Sequence, residues 1–110
     1  MKNLDPQLLN EVVRRIADTI RPEKIWLYGS HAYGTPHVDS DVDLLVLVEQ
    51  SDAPSYIRAR EAYGVLKGLF FPAEIRVVTR EEFARHLDWV VSVEREAMKK
   101  GRVVYERTPV

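Results

Sequence analysis

Cysteine is absent from the 110 residues, so no disulfide and no thiolate metal site is available to this chain. Long apolar runs are missing too. No stretch approaches the ~20 apolar residues of a membrane span, and the opening Met1-Lys2-Asn3-Leu4-Asp5 lacks the apolar segment of a signal peptide. Nor does charge of one sign predominate: 16 Lys and Arg stand against 17 Asp and Glu, a formal net charge of -1. Without a global basic field, a long nucleic acid is a poor partner. A soluble, cytoplasmic protein with no membrane partner is expected. The length allows one domain, residues 1–110, burying roughly two-thirds of its unfolded surface around a single core.

What is present is a regular alternation of patterns. Asp5 and Pro6 read as N-cap and first helical position, and Leu8, Leu9, Val12, Val13, Ile16 and Ile20 recur at helical spacing up to Arg21-Pro22. Lys24 to Tyr28 is short, apolar and aromatic, a strand that stops at Gly29. Leu44 to Val48 has no polar alternation, which predicts an interior strand covered on both faces. A helix follows from Ser55 to about Lys67, then a strand from Ala73 to Val78. Thr79-Arg80-Glu81-Glu82 has capping-box spacing, with Phe83 and Leu87 inward on the helix it opens. Helix is expected to continue from Trp89 to Lys100 and to end at Gly101, leaving Arg102 to Tyr105 as a short strand or arm. Strands alternating with helices imply an α/β fold, a small mixed sheet with helices packed on it.

Chemistry concentrates in residues 29 to 43. Gly29 permits a tight bend after the first strand, and Ser30 can open a short helix whose free N–H groups and hydroxyl face an anion such as a β- or γ-phosphate. Side chains alternate along a strand, so Asp41 and Asp43 project to one side while Val42 points to the other. Paired, accessible carboxylates call for a divalent cation, and oxygen ligands select Mg²⁺ or Mn²⁺ over zinc. Glu74, at the start of the next strand, is the candidate third carboxylate of a metal site. Two other motifs fail. Gly29 to Gly34 has P-loop spacing, but Thr35-Pro36 replaces Lys-Ser/Thr. Asp39, Asp41 and Asp43 begin like an EF-hand, but Leu44 replaces the turn glycine and Gln50 the final glutamate. An ordinary polar turn accounts for Asp39 to Asp41 taken alone; the Gly-Ser turn upstream favours the metal site.

Around this segment, Tyr28 is expected in the core, Tyr33 packed beneath the turn, and His31, His37 and His86 at the surface. Arg76 shares a strand face with Glu74 and is expected to neutralise it. Arg58, Arg60 and Lys67 read as a solvated helix face. Between Trp89 and Tyr105 lies more apolar surface than so short a chain easily buries, which suits either a satisfied core or an interface with a second copy or a partner.

Gly29-Ser30, ten residues, then Asp41-Val42-Asp43 resembles the signature of the DNA polymerase beta nucleotidyltransferase superfamily. The small size and the ending from Ser92 through Gly101-Arg102-Val103-Val104-Tyr105-Glu106 are similar to the minimal nucleotidyltransferases, the MNT proteins. The resemblance implies a polymerase-beta-type core in which Gly29 and Ser30 grip the phosphates of ATP. Asp41, Asp43 and Glu74 then hold Mg²⁺ and carry catalysis, with Glu74 standing where the family has Asp. It further implies an antitoxin that transfers AMP to a tyrosine hydroxyl of a HEPN-domain toxin. The alternative is a non-catalytic nucleotide-binding module that neutralises its partner by direct contact.

Overall fold

The computed structural model describes residues 1–108. Helix α1, Pro6–Ile20, begins where the Asp5 carboxylate accepts the Gln7 N–H at 2.9 Å and ends at Arg21, which takes a left-handed conformation at φ 55°. Its Leu9, Val12, Val13 and Ile16 form one buried stripe, as their spacing predicts. Strand β1 is Lys24–Tyr28, helix α2 Ser30–Tyr33, strand β2 Val42–Val48 and helix α3 Ser55–Gly64. Strand β3, Ala73–Thr79, leads into helix α4, Arg80–Leu87, through the expected capping box, Thr79 and Glu82 each accepting the other's backbone N–H. Helix α5, Val93–Lys100, and strand β4, Arg102–Glu106, complete the chain.

The four strands lie in the order β3-β2-β1-β4, with β2 and β3 parallel and β1 antiparallel to both its neighbours. Interior β2 is covered on both faces, as its unbroken apolar run requires. Ile25, Leu27, Leu44, Val46, Ile75 and Val77 pack against α1 and α3 on one face, and Trp26, Leu45 and Leu47 pack with Phe83 of α4 and Ala97 of α5 on the other. Trp26 stacks on Phe83 with ring centroids 5.2 Å apart. The result is a mixed sheet between two helical layers.

Four expectations about the helices and their side chains need correction here, and two more, His31 and Tyr33, at the site below. The helix expected from Trp89 to Lys100 breaks: Asp88 to Ser92 is non-helical, and α5 starts at Val93, where the Ser92 hydroxyl accepts the Arg95 N–H at 3.0 Å. Adjacent β-branched Val90 and Val91 followed by a strong N-cap residue favour a restart over continuation. Helix α3 stops at Gly64 rather than Lys67. Arg58 is buried instead of solvated, donating to the Val77 carbonyl at 3.0 Å and bidentately to Glu82 at 2.7 and 2.9 Å. His86 is no ordinary surface residue: its Nδ1 lies 2.7 Å from Oε2 of the buried Glu94.

Candidate active site

The sheet's registers bring the predicted residues to one end of it. Tyr28 pairs with Asp43 across β1 and β2, and Asp43 pairs with Glu74 across β2 and β3. Directly paired residues share a face, so Tyr28, Asp43 and Glu74 form a row on the α4/α5 side. Asp41, exposed, precedes β2 by one residue and lies within Coulombic reach of Asp43. The loop that delivers it is closed by a reciprocal pair: Ser40 N–H donates to the His37 carbonyl and the buried Ser40 hydroxyl accepts the His37 N–H, both at 2.9 Å.

Gly29 abuts this row. Its φ of +73° lies in the region that side-chain-bearing residues avoid, and a Cβ placed there would overlap the Asp43 carboxylate, with Cγ only 3.0 Å away. Helix α2 then folds back on Gly29, whose carbonyl accepts the N–H groups of Ala32 at 3.0 Å and Tyr33 at 3.2 Å. Gly29 therefore sits against Asp43 at the entry to α2, whose first N–H groups no preceding turn occupies.

Asp43 is the electrostatic centre. Burial pushes its carboxyl above the usual carboxylate range, the negative charges of Glu74, Asp41 and Glu96 push it further, and His31 opposes them. Tyr28 is also raised, first by burial and then by Asp43. Glu74 is about half exposed and pairs with Arg76, Nη2 to Oε1 3.3 Å, the neutralising contact expected from strand alternation. Among the described residues no three His, Cys, Asp or Glu side chains converge closely enough to hold a metal ion as they stand. The donor chemistry nevertheless fits Mg²⁺ or Mn²⁺. The three carboxylates supply only oxygen, and a divalent cation would relieve the charge that raises Asp43.

Some participants escaped sequence reasoning. Glu96 reaches the site only because α5 packs across β1 and β2; no spacing in the chain links it to Asp43. Tyr33 is 42% exposed and not packed beneath the turn; its hydroxyl is pushed up to about 12, first by desolvation and then by the Glu96 carboxylate, and Lys100 stands 5.7 Å over its ring. His31 is half-buried rather than solvent-facing, and its Nε2 is buried without a hydrogen-bond partner.

A family model described as a nucleotidyltransferase domain matches residues 7–104. The chain therefore belongs to the nucleotidyltransferase-domain family and is a transferase of nucleotidyl groups. Solved structures refine the likeness. A candidate nucleotidyltransferase from Sulfolobus solfataricus superposes with TM-score 0.65 at 20% identity, over 92% of this chain and 79% of the other. The MntA–HepT toxin–antitoxin, in a form with two Asp-to-Glu substitutions, gives 0.53 at 17%, over 89% and 73%. A toxin–antitoxin with AMP-PNP gives 0.54 at 19%, again over 89% and 73%. At such identities the likeness establishes the fold alone. No curated protein matches the chain in sequence.

Proposed function

We propose that this protein transfers AMP from ATP to a tyrosine hydroxyl of a HEPN-domain toxin and thereby acts as its antitoxin, as a single cytoplasmic domain spanning residues 1–110. The observation that carries the chemistry is the in-register pair Asp43 and Glu74 with Asp41 beside it, a partly buried concentration of negative charge facing the Gly29 turn. Asp41, Asp43 and Glu74 would hold Mg²⁺, which would supply charge neutralisation at the triphosphate. Gly29 and Ser30 orient the β- and γ-phosphates through backbone N–H groups and the Ser30 hydroxyl. Glu74 receives the acceptor's proton as the acceptor oxygen bonds to the α-phosphorus. The bond from that phosphorus to the bridging oxygen breaks, and pyrophosphate leaves with the electron pair. Positioning and electrostatics supply most of the acceleration.

The family match supports nucleotidyl transfer, and the likeness to toxin–antitoxin structures, one of them with AMP-PNP, supports the choice of nucleotide and partner. A second reading, neutralisation by contact alone, draws on the ion pair that turns Glu74 toward Arg76. ATP labelled on its α-phosphate, incubated with Mg²⁺, this protein and the product of the adjacent gene, separates the two. Label on the partner that is lost in Asp41→Asn establishes the transferase. A stable complex without label establishes the binding module.

A further inference from the structure

The turn between α4 and α5 exposes three consecutive apolar residues, Trp89 at 53%, Val90 at 88% and Val91 at 86%. It is nevertheless firmly held. Arg95 donates to the Trp89 carbonyl at 3.3 Å, Ser92 caps α5, the His86–Glu94 contact ties the two helices together, and the His86 ring packs 4.3 Å from Trp89. A rigid, anchored apolar spur cannot fold away from water by itself, and a contiguous exposed patch of this kind marks a surface that another molecule covers.

Beside the spur runs a groove of about 600 Å³ along the edge strand β3. Its walls are Tyr56 and Tyr63 of α3 on one side and Trp89 and Val91 on the other, and its floor includes Glu74 and Arg76. An edge strand ordinarily invites another strand. Here much of the open side of β3 is engaged: the Tyr63 hydroxyl accepts the Ile75 N–H at 2.8 Å, Arg58 donates to the Val77 carbonyl, and Glu82 accepts the Thr79 N–H at 3.0 Å. Those side chains stand where an added strand would pair, so an occupant is recognised chiefly through side-chain contacts. Glu74 belongs both to this groove and to the carboxylate row, so the groove opens directly onto the reacting end of the sheet. A small molecule lying within it would leave Val90 in water, whereas a polypeptide would cover groove and spur together.

We propose that the β3 groove and the Trp89–Val91 spur seat the acceptor as a polypeptide, docked through apolar side chains, so that its hydroxyl reaches the carboxylate row from the Glu74 side. The placement of a hydroxyl there rests on the transferase reading above; the docking of a protein does not. The test uses the intact protein, the purified product of the adjacent gene, α-labelled ATP and Mg²⁺, with Trp89→Ala and Val91→Asp as variants. Both substitutions fall on exposed side chains, and circular dichroism with thermal melting checks that they fold. The expected result is at least a tenfold rise in KM for the protein acceptor with ATP affinity, read by calorimetry, within twofold of wild type. Wild-type transfer rates in both variants overturn the proposal. So does a matching loss of ATP affinity, which would place the nucleotide base in the groove. A wild-type dimer that Val91→Asp converts to monomer in sedimentation assigns the spur to a second copy and overturns it as well. If wild type transfers no label, the transferase reading fails separately, and partner affinity decides the docking: a tenfold loss in Val91→Asp sustains it, and unchanged affinity or no wild-type binding ends it.

Discussion

The two faces of one sheet are built to opposite ends. Against α1 and α3 the central strands present buried aliphatic residues, Ile25, Leu27, Leu44, Val46, Ile75 and Val77, while against α4 and α5 the apolar packing of Trp26, Leu45 and Leu47 gives way at one end to Tyr28, Asp43 and Glu74. Carboxylates set side by side, one of them held above its ordinary range, oppose folding. They are tolerated because the opposite face and the apolar half of the same face supply the stability. Structure and chemistry are thus divided within β2 itself, whose alternate residues serve the two purposes.

Substitutions one residue apart in β2 break that comparison most sharply. Leu44→Ala, on the aliphatic face, is expected to cost about 2–5 kcal/mol in chemical denaturation. Asp43→Asn is expected to reduce nucleotidyl transfer by more than about 10²-fold while leaving the melting temperature unchanged or higher. A large loss of stability in Asp43→Asn would show that the carboxylate is structural. Gly29→Ala sharpens the same point from the neighbouring element. Its Cβ would meet the Asp43 carboxylate at a positive φ, so transfer should fall by about 10²-fold and stability by about 1–3 kcal/mol.

Arg58→Ala tests what engages the β3 edge. It removes the donor to Val77 and leaves Glu82 without its partner, and because Glu82 keeps some contact with water the expected cost is about 1–3 kcal/mol. The Arg58 guanidinium holds Glu82 at about 2, against burial and with help from the Thr79 N–H. A lowered folded value means that the contribution is complete above the ordinary value of 4.5 and is lost as pH falls from there toward about 2. In Glu82→Gln that acid-induced loss should shrink. Asp43 has the opposite sign and the smallest effect: with its folded value raised, it favours the fold while protonated, and that contribution disappears as pH rises through the folded value. Melting curves across the carboxylate range should show this decline in wild type, not in Asp43→Asn, and added Mg²⁺ should reverse it.

Periodicity made α1, β1, β2 and β3 legible, because each buries a complete stripe or face that leaves its period in the chain. Capping chemistry located the start of α4, whereas the break before α5 was concealed by an apolar run, Trp89 to Val91, that belongs to an exposed turn. Gly29, Ser30, Asp41 and Asp43 stand out because they lie on one short segment with interpretable spacing. Glu96, the buried Arg58 and the His86–Glu94 contact carry no such signal, since each depends on elements far apart in the chain.

The sequence by itself determined α1, the strands β1 to β3, the start of α4, the Gly-Ser turn and the pair of aspartates, because local patterns suffice for these. Only the tertiary structure decided which side chains meet. Parallel pairing of β2 with β3 sets Glu74 opposite Asp43, packing of α5 brings Glu96 toward them, and side chains of α3 and α4 engage the edge of β3. Register and packing are relations between distant segments, and their energies arise only when those segments are brought together.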